Sequence, residues 1–173
     1  MATIKRNDDN TITVVFSNGY TVKFKQPTET ILGMCMAAGR RDPNGGADVL
    51  IENGLIEGNK SKLKDTVSYL RQIALVSSDI FGEVDASLTW NGDIATVEFT
   101  DGRMVMLKPA GRDIYSQAQL KSKQNPLNYT KHLLTACWVE GDESVKKSPG
   151  HLLGFAACIE SFLDYTGEEL GKP

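Results

Sequence analysis

Two histidines, His132 and His151, and three cysteines, Cys35, Cys137 and Cys158, are the side chains of this 173-residue chain best suited to covalent or proton-transfer chemistry. A nucleophilic site needs a thiol or hydroxyl, a base within reach and a group that stabilises the oxyanion. Either histidine could meet Cys137 or Cys158 in space, but the neighbouring residues favour partly buried or surface histidines beside structural thiols. No Cys-x-x-Cys or His-x-x-x-His pair occurs to place two ligands on one face, so no metal site is expected. Gly45-Gly46 and Gly54 to Gly58 follow no strand and lack the Gly-Lys-Ser/Thr ending of a phosphate loop, so both read as turns. Asp8-Asp9, Arg40-Arg41-Asp42 and Glu168-Glu169 could be paired carboxylates or phosphate clamps, and read more simply as solvated faces and loop tips. No catalytic residue, cofactor or metal ligand is assigned on this basis, and the chain reads as a binding or assembly protein with no enzymatic role.

Composition narrows the setting. The chain is 40% apolar and 24% charged, enough for a core and too apolar for a disordered tail. Nineteen Lys and Arg against twenty-two Asp and Glu leave a net charge of −3, without the basic excess that phosphate neutralisation on nucleic acid demands. Nucleic-acid binding is therefore not expected. No stretch approaches the ~20 apolar residues of a membrane span, and the start, Met1 to Asp9, lacks the apolar core of a signal peptide. The three cysteines, an odd number far apart with apolar neighbours, suit reduced thiols, so a soluble cytoplasmic protein is expected.

The order of residues is more informative. Thr13-Val14-Val15-Phe16-Ser17-Asn18-Gly19 recurs 83 positions later as Thr96-Val97-Glu98-Phe99-Thr100-Asp101-Gly102. Beyond the turn both copies alternate, through Val22 and Phe24 or Val105 and Leu107, and reach Pro27 or Pro109 with a displacement one shorter. The original displacement returns by Ile56-Glu57-Gly58 against Val139-Glu140-Gly141. Asn-Gly and Asp-Gly supply the positive φ of tight turns, so each copy opens with a hairpin, residues 11–25 and 94–108. The prolines end the second strands, because they lack a ladder N–H. A helix follows, begun near Thr28 or Gly111 and carrying Ile31, Leu32 and Cys35 or Ile114, Tyr115 and Ala118. After breaks at residues 42–46 and 124–126, second helices are expected over 47–56 and 128–139, stopping at Gly58 and Gly141. The third and longest helices carry Leu63, Val67, Leu70, Ile73, Val76 and Ile80 in one copy and Leu152, Leu153, Ala156, Ile159, Phe162 and Leu163 in the other. Ser148 followed by Pro149 marks the start of the latter.

The expected fold class is thus α+β: a tandem duplication, each copy a β-hairpin followed by about three α-helices, helix-rich overall. The repeats span residues 1–84 and 85–173. A unit of this size has only ~3 to 5 kcal/mol of net stability from its own core. The copies are therefore expected to pack together, joined by the short linker Val84-Asp85-Ala86-Ser87. Of the aromatic residues Phe81, Trp90, Trp138, Phe155, Phe162 and Tyr165, most read as core. Trp90, beside Asn91-Gly92 between the copies, could cover the seam or face a partner.

The run from Val97 through Asp101-Gly102-Arg103 to Pro109-Ala110-Gly111-Arg112-Asp113-Ile114 resembles the opening of the tail assembly chaperones of tailed bacteriophages, where an Asp-Gly-Arg hairpin runs into a proline and an Arg-Asp-led helix. The match covers about twenty residues of the second copy. The first copy departs from it, with Asn18-Gly19-Tyr20 at the turn and Pro27-Thr28-Glu29-Thr30 before the helix. The resemblance implies a small protein of the infected cytoplasm that coats an apolar, helical tape measure protein until the tail tube forms around it. Helix-in-groove binding would be the mode. Met34, Met36, Met104 and Met106 would suit such a surface, since thioethers repack around varied targets, although methionines beside Ile31, Leu32 and Leu107 also fit a plain core. This reading predicts a protein partner and concentration-dependent homo-oligomers. The alternatives are an inhibitor of one host factor, with fixed stoichiometry, and a virion structural subunit.

Overall fold

The computed structural model describes residues 1–123 and 125–164. It divides into two compact units, Met1–Gly82 and Glu83–Pro173. The fold is α+β, with two four-stranded antiparallel sheets among the described residues.

In the first unit the sheet runs β1 (Thr3–Arg6), β2 (Thr11–Val15), β3 (Thr21–Lys25) and β4 (Leu55–Glu57) in that spatial order. Helices α1 (Glu29–Gly39) and α2 (Gly45–Gly54) lie between β3 and β4, and α3 (Lys60–Asp65), α4 (Val67–Leu75) and α5 (Ser77–Phe81) follow. The second unit repeats the order: β5 (Ala86–Asn91), β6 (Ile94–Phe99), β7 (Met104–Leu107), α6 (Arg112–Ser122), α7 (Leu127–Ala136), β8 (Trp138–Gly141), a 3₁₀ turn (Glu143–Lys147) and α8 (Pro149–Leu163).

Alternation makes each sheet two-faced. Ile12, Val14, Val22 and Phe24 are buried on one face, as are Ala95, Val97, Val105 and Leu107 in the second unit, and the helices cover them. The central hairpins match down to single bonds. Phe16 N donates to Tyr20 O and Gly19 N to Phe16 O, each at 2.9 Å; Phe99 N donates to Arg103 O and Gly102 N to Phe99 O, also at 2.9 Å. The Asn18 and Asp101 carboxamide and carboxylate oxygens each accept from the N–H two residues on, at 3.1 Å.

Three expectations need correction. Each hairpin is only the central pair of a larger sheet. The supposed linker Ala86-Ser87 opens β5, whose Ala86, Leu88 and Trp90 face inward while Ser87, Thr89 and Asn91 face out. Second, α2 and α7 stop at Gly54 and Ala136, and the residues expected to complete them form edge strands β4 and β8. β4 pairs with β3 (Lys23 with Glu57, Phe24 with Leu55) and β8 with β7 (Met106 with Glu140, Leu107 with Trp138). Ile56 and Val139 are bulged out of the two ladders at equivalent places and exposed. Gly58 and Gly141 close these strands, with φ of +134° and +138°, and are not helix caps.

Third, the long helix expected over residues 63–80 is three short ones. Thr66 has extended backbone (φ −108°, ψ 103°), and Val76 leaves the helical region (φ −106°, ψ 11°). The β-branched Thr66, Val67 and Val76 crowd the preceding turn, and Ser77 Oγ donates to Ala74 O at 2.8 Å, which competes with the helical ladder. Val67, placed in the apolar stripe from sequence, is 62% exposed. The second unit keeps one helix, α8, with Ser148 at its N-cap and Pro149 in its first turn.

Candidate partner-binding site

The four methionines stand outside the core. On β7, Val105 and Leu107 point inward, so Met104 and Met106, two residues apart, share the opposite face. Met104 is 43% exposed and Met106 half-buried. Their cross-strand neighbours are Glu98 for Met104 and Thr96 and Glu140 for Met106, so the two thioethers are flanked across the sheet by polar side chains. On α1, Met34 is 45% exposed and Met36 half-buried, on either side of buried Cys35. The alternative of a plain core for Met34 and Met104 does not hold. Alternation on β7 explains Met104: the face that takes Val105 inward turns both methionines out.

Trp90 is placed differently from expectation. It belongs to β5, on its inward face, and stacks on Phe162 of α8 with ring centroids 5.7 Å apart and planes 9° apart. Phe162 meets Phe155 edge-on at 5.9 Å. Phe81, Phe155 and Phe162 are buried, and Trp138 is half-buried under the Lys146 ammonium, 3.7 Å from the ring centroid. Tyr165 and Glu168-Glu169 lie outside the described residues.

A second apolar surface was not singled out from sequence. Helix α1 buries Ile31, Leu32, Gly33 and Cys35, whereas its counterpart α6 buries only Ala118. Tyr115 and Leu120 are 41% and 61% exposed. An open cleft of about 580 Å³ runs from Ala110, Arg112 and Tyr115 at the start of α6 to Glu160, Leu163 and Asp164 at the end of α8. The wider apolar spacing in α6 was the available signal.

Neither histidine hydrogen-bonds a cysteine. His132 Nδ1 is 2.9 Å from Lys121 Nζ, and burial, then the lysine charge, hold its pKa below the ordinary value. His151, 3% exposed, places Nδ1 2.7 Å from Ser148 Oγ and Nε2 2.9 Å from Asp101 Oδ2. A serine, a histidine and an aspartate in line could pass a proton. The first unit shows what this contact does structurally: Asn18 Nδ2 donates to Tyr69 Oη at 2.8 Å, tying the same hairpin turn to α4 without a histidine or a nucleophile. The next residue repeats the pattern. Tyr20 Oη accepts from Asn59 N at 3.0 Å, and Arg103 lies 3.7 Å from Asp142 and donates to Ser144 Oγ at 3.0 Å. In both units the hairpin turn is latched to the segment that follows the edge strand.

The second latch is charged, and so it is acid-sensitive. Desolvation raises the Asp101 pKa, but the Arg103 N–H, the His151 hydrogen bond and the nearby positive charges outweigh it and hold the carboxyl below the ordinary value. A depressed carboxylate pKa contributes stability that is present above the unfolded-state value, ~3.9, and is lost as pH falls through the folded value. Asp101→Asn, which installs the first unit's own residue, is therefore expected to flatten the acid limb of the stability profile below about pH 4. Urea titrations between neutral pH and pH 2 check this; an acid limb as steep as that of the unaltered protein would show that Asp101 is not the group responsible.

All three cysteines are buried free thiols. Burial pushes Cys35 up to about 12 and Cys137 up to about 11, Lys108 pulling the latter slightly down, so both stay protonated at neutral pH and are poor nucleophiles. Cys158 Sγ donates to Ala86 O at 3.4 Å. Among the described residues no group of three His, Cys, Asp or Glu is placed to hold a metal ion, and no helix is long and apolar enough to cross a membrane.

Comparison with protein-family models, curated proteins and solved structures finds no match for the chain. The functional reading therefore rests on the geometry above and on the short resemblance around Asp101-Gly102-Arg103.

Proposed function

We propose that this protein acts by binding, without catalysis, as a tail assembly chaperone-like protein in the host cytoplasm that shields apolar helical segments of a tape measure protein. The observation that carries the reading is the Met104–Met106 pair on the outward face of β7. A solvated sheet face ordinarily alternates polar residues, and two flexible, polarizable side chains there suit a surface that must repack around varied apolar helices. Exposed Met34 and the uncovered Tyr115 and Leu120 supply apolar contact area elsewhere on the two units. The Asp-Gly-Arg hairpin that resembles the chaperones is the same hairpin that carries the pair.

The test is binding of the full chain to a fluorescent synthetic apolar helix of tape-measure character, by anisotropy. Burying one methionine is worth ~1.5 to 3 kcal/mol, so Met104→Gln with Met106→Gln, which adds no charge opposite Glu98 or Glu140, is expected to weaken binding by at least about tenfold while leaving thermal unfolding nearly unchanged. Unaltered affinity in the double variant, or capture of one host enzyme at fixed stoichiometry in place of a helical tape protein, would overturn the proposal.

A further inference from the structure

The outward faces of the two sheets handle charge differently. In the first unit the position equivalent to Met106 is Lys23, whose ammonium lies 2.9 Å from Glu57, its partner across the β3–β4 ladder. The second unit keeps that carboxylate as Glu140, in the same register, but has Met106 in place of the lysine. On the other side of β7, opposite Met104, it carries a further carboxylate, Glu98, where the first unit has Val15.

Both carboxylates are exposed, and neither takes part in an ion pair or a side-chain hydrogen bond among the described residues. The cations nearby are engaged elsewhere or stand apart. Arg103 pairs with Asp101 and Asp142, and Lys146 with Glu143. Lys108, two residues beyond Met106, forms no ion pair with either glutamate. β5 and the rest of β6 add Ser87, Thr89, Asn91, Ile94 and Thr96 to this face, none of them charged. A purely apolar helix laid here would strip water from Glu98 and Glu140 and return nothing, a cost that two cations on the helix would remove.

Register fixes the spacing of the two charges. Glu98 is level with Met104 on β6 and Glu140 is level with Met106 on β8, so they lie two strands across and two residues along from each other. With about 4.8 Å between strands and about 3.3 Å per residue, the diagonal is about 12 Å, and it crosses the methionine pair. Two turns of an α-helix, roughly seven residues, rise about 10.5 Å and return to nearly the same side. A helix laid along the diagonal therefore puts its residues i and i+7 over the two carboxylates and i+3 and i+4 on the thioethers.

We infer that the helix bound by this face is amphipathic and basic, with lysine or arginine at i and i+7 on either side of an apolar pair at i+3 and i+4. The inference rests on the methionine-surface reading above and adds to it which helices are accepted. Apolar contact supplies the affinity, and the two carboxylates select by charge and register.

Three fluorescent helical peptides of equal length and apolar content test this against the full chain by anisotropy: one with lysines at i and i+7 of the apolar stripe, one with glutamates there, and one with the lysines moved to the opposite side. The first is expected to bind at least about threefold tighter than either of the others at low salt, with the advantage shrinking toward unity in about 1 M sodium chloride. Glu98→Gln with Glu140→Gln should bind the lysine and glutamate peptides within about twofold of each other. Glu98→Lys with Glu140→Lys should reverse the order, an outcome that a misfolded variant does not produce. Equal affinity of the unaltered protein for the lysine and glutamate peptides, or a preference that survives both pairs of substitutions, would overturn selection by charge while leaving the methionine surface standing. Equal binding of the two lysine arrangements would overturn the register in the same way. If none of the three peptides binds, the methionine surface itself falls, and this inference with it.

Discussion

Replacing Gly154 with alanine is expected to destabilise the second unit by about 1–3 kcal/mol, the cost of forcing an extra carbon into a packed core. The usual expectation has the opposite sign, because alanine inside a helix is favoured over glycine by ~0.5 to 1 kcal/mol. Packing decides the outcome. A Cβ at Gly154 would lie 2.0 Å from Val84 O and 3.4 Å from the Phe99 ring, and the first is backbone, which cannot rotate away. Val84 is held there because its N–H donates to Gly150 O, one turn earlier on the same helix, at 3.2 Å. Gly154 thus lets the chain leading into β5 run directly against α8. Gly39, at the end of α1, has nothing within 4 Å of its Cβ position, so Gly39→Ala should be neutral or slightly stabilising. Urea denaturation followed by far-UV circular dichroism measures both. A Gly154→Ala protein as stable as its parent would mean that Val84 does not hold this position.

Phe162→Ala is expected to cost more, about 3–5 kcal/mol. Phe162 is 1% exposed, and its loss opens a cavity beneath β5 while removing both the Trp90 stack and the Phe155 edge contact. Each aromatic pair adds ~0.5 to 1.5 kcal/mol beyond area burial. A unit of this size has a net stability of the same order, ~3 to 5 kcal/mol, so the variant should leave the second unit largely unfolded at room temperature. Tryptophan emission in a Trp138→Phe background, where Trp90 is the remaining indole, should shift to the red without denaturant. Emission that stays blue, with a stability loss under about 1 kcal/mol, would show that α8 does not depend on this aromatic contact.

The same helix shows where sequence reading succeeds and stops. The displacement of 83 residues located both central hairpins, and the structure restores that displacement immediately after the prolines: α1 begins at Glu29 and α6 at Arg112. Turn chemistry was legible because Asn18-Gly19 and Asp101-Gly102 satisfy their own backbone locally, with φ of +81° and +89° at the glycines. The strict alternation of Ala86, Leu88 and Trp90, ahead of Asn91-Gly92, is an equally local mark of β5, of which the expected linker took in only Ala86-Ser87. β4 and β8 left no such mark. Three or four residues carry no readable period, and they become strands only because β3 and β7 offer unpaired backbone groups at the sheet edge.

The candidate sites divide along the same line. The methionines were visible as residue types, and alternation on β7 was enough to pair Met104 with Met106, but whether a helix covers that face is a tertiary question. Glu98 and Glu140 lie far apart in the sequence and flank that pair only once β6 and β8 take their places on either side of β7. Asp101 and His151 are fifty residues apart and meet because the hairpin turn is latched to the start of α8. By itself the sequence determined the α+β class, the repeated hairpin, the proline stops and the absence of a disulfide among the three cysteines, since each depends on neighbours within a few residues or on spacing along the chain. Only the tertiary structure decided the edge strands, the breaks in the first unit's last helix, the stacking of Trp90 on Phe162 and the cleft beside α6 and α8, because these depend on which distant surfaces meet when the apolar faces leave water.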